Sequence, residues 1–212
     1  MPSALHSYPS LDELEVTPHA IKEGLRERIR AQRRRLRPAD RQAAALALAI
    51  VALEVPDIAT AGCVSAYEST PTAPGTLPLR QALHRAGIRV VLPVLLAGGH
   101  LDWSEDDVRA TPDHAGSPPP RLLGPEGVCE AEAVVIPALA VDTLGHRLGQ
   151  GAGFYDRTLR LIDPTVPVFA VLYDGEVLDA AIEPLPVEPH DQPVDAIITP
   201  QRCLRLLPRH HR

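Results

Sequence analysis

AVVIPALAVDTLGHRLGQGAGFYDRTLRLI, residues 133–162, decides the fold of this chain. Its first part, Ala133 to Val141, is a β-rich apolar run too short for a buried helix and without helical spacing, and it reads as a central parallel strand. At its far end Tyr155, Leu159 and Ile162 recur at i, i+4 and i+7, one face of a helix. Between the two, Gly149, Gly151 and Gly153 stand at every second position and run into Phe154 and Tyr155. Glycine costs backbone entropy, so such a cluster marks a place where the main chain is approached closely or φ is positive. A strand, a glycine turn and a helix start together offer unpaired N–H groups and the positive end of a dipole, and Arg147 adds forked donors. That combination suits a phosphate. No Gly-Lys-Ser/Thr of a Walker A loop is present, and Gly-x-Gly-x-Gly is not the Gly-x-Gly-x-x-Gly of dinucleotide sites. From the glycines alone, a tight βα connection that only permits packing is an equal reading.

Working outward, further β-rich runs at Cys63 to Tyr67, Arg89 to Leu95, Val166 to Tyr173 and Asp195 to Thr199 alternate with helical patterns. With 212 residues and 45% hydrophobic content, this predicts a single-domain layered α/β fold with a largely parallel central sheet flanked by helices. Thr76 is placed to N-cap a helix running to Ala86 and closed by Gly87, with Pro78 in the first turn. The preceding loop, Tyr67 to Gly75, then lies at a strand's C-terminal end, where open α/β sheets collect ligands. Residues 1–17 read as a flexible extension, 18–200 as the domain, 112–127 as a proline-rich surface excursion and 201–212 as a basic tail.

Near the start, Ile21, Leu25 and Ile29 are expected to face the core, with Lys22, Arg26 and Arg33 on the adjoining stripe. Cations one turn apart can clamp a polyphosphate. The net charge of −6 argues against nucleic acid as the main partner, although eight arginines between Arg26 and Arg41 form either an RNA-binding stripe or a solvated face. Aromatic residues are few, one Trp, four Tyr and two Phe, so Phe154 and Tyr155 beside the glycines offer flat neighbours to a flat ring, with Trp103 a further candidate wall. Cys63, Cys129 and Cys203 are isolated and suggest neither disulfides nor zinc. Asp12, Glu13 and Glu15 replace any signal-peptide pattern, and the longest apolar run, Ala43 to Leu53, is far short of a bilayer span. A cytoplasmic monomer acting on small molecules, without a membrane, is expected.

Three blocks in order carry a family likeness. Ile136-Pro137-Ala138-Leu139-Ala140-Val141-Asp142 followed by Gly145-x-Arg147-Leu148-Gly149-x-Gly151-x-Gly153-Phe154-Tyr155-Asp156-Arg157 resembles the 5-formyltetrahydrofolate cyclo-ligase (methenyltetrahydrofolate synthetase) family. Lys22-x-x-Leu25-Arg26-x-x-Ile29-x-x-x-Arg33-x-x-Leu36 is similar to its opening helix, and Glu188-Pro189-His190-Asp191-Gln192-Pro193-Val194-Asp195 to its closing block. The resemblance implies ATP- and Mg²⁺-dependent conversion of 5-formyltetrahydrofolate to 5,10-methenyltetrahydrofolate, with release of ADP and phosphate. It implies that Lys22, Arg26, Arg147, Leu148 and the loop Gly149, Gln150, Gly151, Ala152, Gly153, Phe154 and Tyr155 hold ATP, with Arg147 and Tyr155 at the reacting groups. Asp156 and Asp191 would hold Mg²⁺, and Glu68, Ala73, Trp103 and Tyr155 would enclose the reduced folate. The chain departs from the family at Ala73, where relatives carry a folate-contacting glutamate, leaving Glu68 as the loop's acid. Many relatives also carry a basic residue at 150 and Gly or Lys at 152, here Gln150 and Ala152. Two further readings follow from these departures: a paralogue acting on another carbonyl substrate, and a non-catalytic nucleotide- or RNA-binding protein.

Overall fold

Prolines set the helices. In the computed structural model, which describes residues 17–97, 99–107 and 121–206, α1 (Pro18–Arg35), α2 (Pro38–Leu53) and α3 (Pro56–Ala59) each start on one, and α4 (Leu77–Arg85) carries Pro78 second. The ring presets a helical φ and gives up an N–H that the first turn cannot use. Thr17 caps α1 by accepting from the Ala20 N–H at 3.2 Å. Thr76 does sit at the N-cap of α4, but its hydroxyl makes no cap bond and donates to the Tyr67 carbonyl instead, tying the helix start to the loop before it.

The strands are β1 (Cys63–Ser65), β2 (Arg89–Leu95), β3 (Leu101–Glu105), β4 (Ala133–Pro137), β5 (Ala140–Asp142), β6 (Arg147–Leu148), β7 (Val168–Val171), β8 (Val177–Leu178), β9 (Ala196–Ile198) and β10 (Cys203–Arg205). Seven of them form one sheet in the order β10-β9-β7-β4-β1-β2-β3. Its interior pairs are all parallel, and only the edges, β3 on β2 and β10 on β9, are antiparallel. The five strands expected from sequence form this parallel interior. The short edge strands were not foreseen, because three to five residues carry too little periodicity.

Side chains of the sheet alternate between two cores, as the period of two requires. Val64, Val90, Val135, Phe169 and Ile198 face α2, α3 and α4 through Leu48, Ala52, Ile58 and Leu83. Val91, Val134, Ile136, Ala170 and Ile197 face Trp103, Val128, Leu159 and Ile162. Strands buried on both faces read as unbroken apolar runs, which is why they stood out in the sequence.

Residues 133–162 depart from expectation in a way that shapes the site. The apolar run is not one strand: β4 ends at Pro137, and the Arg33 guanidinium takes the Ala138 carbonyl at 2.7 Å. β5 instead starts a second sheet, order β6-β5-β8, packed on α1 through Leu25, Ile29, Leu139, Leu148 and Leu185. The glycine loop therefore leaves β6, not the central strand, and the helix after it, α5, covers only Phe154–Thr158. Leu159 and Ile162 are buried as the spacing foretold, but beyond the helix end. On α1, Leu25 and Ile29 are buried as expected, but Ile21 is 40% exposed and Lys22, Arg26 and Arg33 are buried too. The charged stripe faces inward because partners for it lie across the molecule.

Of the expected extension only Thr17 is described, and of the tail 201–206. Of the excursion at 112–127 the part from 121 on is described: Leu122 bridges to Ser104, the Leu123 N–H donates to the Trp103 carbonyl at 2.8 Å, and Pro125–Glu130 form a 3₁₀ turn. Among the described residues no helix is long and apolar enough to cross a membrane.

Candidate functional site

From β1 the chain runs to β2 on one side, while β4, the strand on β1's other side, leads on to β7 and β9. The gap beyond the carboxyl ends of β1 and β4 is thus a topological switch point, where the sheet's geometry opens a crevice. A cleft of about 500 Å³ lies there. Tyr67, Glu68, Thr70 and Ala73 come from the loop after β1; Pro137 and Ala138 from the end of β4. The segment 147–156, α1 residues Lys22, Glu23, Arg26 and Arg33, and Glu188, His190 and Asp191 complete the walls.

The glycine loop is held by its carbonyls. Arg26 donates through Nε to the Gly149 carbonyl at 2.9 Å, Arg30 to the Gln150 carbonyl at 3.1 Å, and Arg157 to that of Ala152 at 3.3 Å. Meanwhile the N–H groups of residues 150–153 donate to no acceptor among the described residues. Gly151 has φ 106° and Gly153 φ 65°, a backbone that L side chains resist. A loop fixed through its acceptors, with donors left over and a guanidinium beside Gly151, can receive an anion.

Each cation of the cleft already has a carboxylate. Lys22 Nζ lies 2.7 Å from both Glu188 and Asp191. Burial works against the ammonium, yet the bonds to Asp191 and Glu188 outweigh it and the Lys22 pKa lies above its ordinary value. For Asp191 burial opposes ionisation too, but Lys22 and the Glu188 N–H hold its pKa down. Arg26 meets Glu23 at 2.5 Å. Arg147 donates to Asp156 at 2.6 Å and to the Gln192 carbonyl, and burial lowers its pKa. Asp156 also accepts the Gln192 N–H at 3.1 Å. The Arg147 and Asp156 pair thereby fastens the closing block to the loop.

The two carboxylates expected to hold the metal, Asp156 and Asp191, both line the cleft. Asp156 is engaged by Arg147 and Gln192, while Asp191 stands with Glu188 and His190, their ligand atoms within 4.8 Å of one another. Among the described residues this is the group of three spaced to share an ion. Glu188 and Asp191 supply the hard oxygens that Mg²⁺ prefers, and Lys22 shows that the place suits positive charge, so the residues fit the ion.

Of the candidate walls, Ala73, Glu68 and Tyr155 line the cleft, Glu68 as an exposed side chain at 3.4 Å from Arg80. Burial raises the phenol pKa of Tyr67 and of Tyr155, so both are protonated donors at neutral pH. Trp103 is the correction. It is 0% exposed, packed against Val91, Val128 and Ile136 on the opposite side of the sheet from the α2 to α4 layer, and does not touch the cleft. Its indole sits on β3, whose pairing to β2 turns it into the core. The arginine-rich stretch is divided: Arg26 and Arg33 are buried in ion pairs, whereas Arg28, Arg34, Arg35 and Arg37 are exposed on the solvated side, with Arg28, Arg30 and Arg37 also bonded to protein groups. Sequence reading missed Glu188 and Glu23 as partners and Glu176 altogether, since these contacts join distant segments or lie between side chains with no motif of their own.

An open α/β sheet with a cation-lined glycine loop at its switch point is an arrangement able to receive an anionic small molecule. The model of the 5-formyltetrahydrofolate cyclo-ligase family matches residues 18–200, and the chain belongs to that family. It is 41% identical over 147 residues to the 5-formyltetrahydrofolate cyclo-ligase of Mycolicibacterium smegmatis, covering 66% of this chain and 74% of that one. To the enzyme of that name from Escherichia coli K12 it is 33% identical over 184 residues, 82% and 97% of the two chains. The fold is that of the 5,10-methenyltetrahydrofolate synthetases from Aquifex aeolicus (TM-score 0.70, 22% identity, 91% of this chain and 95% of that) and Mycoplasma pneumoniae (0.66, 20%, 84% and 98%).

Proposed function

We propose that the chain is an ATP- and Mg²⁺-dependent ligase that converts 5-formyltetrahydrofolate to 5,10-methenyltetrahydrofolate, ADP and phosphate. The observation that carries this reading is the convergence of Lys22, Arg26, Arg147 and the donor-rich loop 149–154 on one cleft, in a chain matching the family over 18–200. The formyl oxygen attacks the γ-phosphorus and the β–γ bridging oxygen leaves with ADP. N10 then attacks the activated formyl carbon and gives up its proton, and the ring closes as phosphate departs. Phosphorylation turns a poor leaving oxygen into a good one.

The protein's part is positioning and charge neutralisation. Lys22, Arg26 and the amides of 150–153 hold the triphosphate, with the ammonium and guanidinium exchanging their carboxylates for phosphate oxygens. Arg147, kept in place by Asp156, faces the transferring group, and the protonated Tyr155 phenol donates beside it. Asp191 with Glu188 would hold Mg²⁺, which when bound would add charge neutralisation at the phosphates. Tyr67, Ala73 and Tyr155 bound the folate ring.

The test is turnover of purified protein with ATP, Mg²⁺ and 5-formyltetrahydrofolate, followed by the absorbance of the methenyl product. Absence of product at any enzyme concentration removes the reading. ADP formed only with another carbonyl compound supports the substrate change that Ala73 favours.

A further inference from the structure

Arg33 is the one cation of α1's buried stripe whose carboxylate partner lies outside the cleft wall. Its Nε and Nη2 meet the two oxygens of Glu176 at 2.6 and 2.7 Å, and Nη2 also takes the Ala138 carbonyl at 2.7 Å. Both side chains are almost wholly buried, 3% and 6% exposed. The second Glu176 oxygen accepts the Tyr173 N–H at 2.9 Å, and the guanidinium lies 5.7 Å from the centre of the Tyr173 ring. From there the Tyr173 hydroxyl donates to the Ala73 carbonyl at 3.2 Å. A continuous set of bonds thus runs from α1, past the end of β4, to the loop after β1.

The arrangement is more specific than packing requires. A bidentate guanidinium fixes the plane of its carboxylate, and a buried ion pair gains little stability over an apolar pair of the same size. What it does gain is geometry at both walls of the cleft: Ala138 on one side and Ala73 on the other. The loop 67–76 has its own internal ties, Tyr67 hydroxyl to the Pro74 carbonyl at 3.2 Å and Ala73 N–H to the Thr70 carbonyl at 3.0 Å. Tyr173 is the bond that anchors this loop to the far half of the sheet, 100 residues away in sequence.

We propose that Arg33 and Glu176 are positioning residues, which set the distance between the two walls of the folate end of the cleft by holding Tyr173 on the Ala73 carbonyl. The inference rests on the ligase reading for its kinetic consequence and on geometry alone for its structural one. Neither residue touches the reacting atoms; they act through Tyr173.

The full-length chain with Tyr173→Phe loses one hydroxyl and no packing volume, so it folds. Its KM for 5-formyltetrahydrofolate rises about 5-fold, the worth of one neutral hydrogen bond, while its KM for ATP is unchanged. Amide hydrogen exchange in residues 68–75 quickens by a similar factor, while residues 147–156 exchange as before. Glu176→Gln, which keeps the shape and loses the charge, moves the same two quantities in the same direction, and the double variant is no worse than the more severe single one. Unchanged exchange at 68–75 in Tyr173→Phe overturns the proposal. So does faster exchange without any change in folate KM, or two effects that multiply fully. If the wild-type protein shows no turnover, the ligase reading has failed, and the exchange measurement still decides whether the bonds position the loop.

Discussion

Gly151→Ala tests whether the loop's conformation, rather than its flexibility, makes the anion site. At φ 106° an added Cβ is strained, whatever space surrounds it. Space is available: the nearest heavy atom is the Arg26 guanidinium carbon at 3.5 Å, an ordinary contact. The cost is therefore backbone strain, about 1–3 kcal/mol. It can be relieved by rotating the loop, which breaks the Arg26 bond to the Gly149 carbonyl and misplaces the donors, or it can be kept as lost stability. In the first case ATP affinity falls about 5- to 150-fold; in the second the melting temperature falls by about 2–12 °C. Calorimetric titration with ATP and Mg²⁺, paired with a thermal melt, reads both. Gly149→Ala is the control for stability, since no positive φ and no atom within 4 Å meets its Cβ, and its melting temperature stays level or rises slightly. A Gly151→Ala protein that melts and binds ATP as the wild type does would refute the argument.

Trp103→Ala empties a fully buried site and lowers stability by about 3–5 kcal/mol, yet leaves the folate KM as it was, measured at a temperature where the variant is folded; a raised KM would return Trp103 to the substrate wall. Arg147→Met leaves Asp156 and the Gln192 carbonyl without their partner and costs about 3 kcal/mol with loss of ATP binding, the low end because Asp156 keeps some solvent; equal melting temperatures would show that the closing block is held otherwise. For Lys22→Met the pH profile of the stability difference is diagnostic. The raised Lys22 pKa makes its contribution complete below the ordinary 10.5 and lost as pH climbs through the folded value. The lowered pKa values of Asp191 and Glu188 make theirs complete above 3.8 and 4.5 and lost as pH falls through the folded values. Wild-type minus variant melting temperature is therefore flat between pH 4.5 and 10.5 and shrinks outside that range. A slope between about pH 6 and 8 would assign the interaction to a histidine instead.

Local chemistry is what the sequence alone could settle. Unbroken apolar runs such as 133–137 and 168–171 must be buried on both faces, which implied a parallel interior before any pairing was known. Proline at helix starts and the Gly149 to Gly153 spacing are likewise constraints of a few bonds' reach, and both survive in the fold. The same locality explains the failures. Whether Ala138 continues a strand depends on a guanidinium 105 residues earlier, and whether Lys22 is free for phosphate depends on carboxylates 166 and 169 residues later. Trp103 became core rather than wall because β3 pairs with β2, a register no short window records. Strand order, the crevice between β1 and β4, and the pairing of every cleft cation with a carboxylate belong to the tertiary structure. The physical reason is that charge and close contact act through space, while periodicity speaks only of the residues next along the chain.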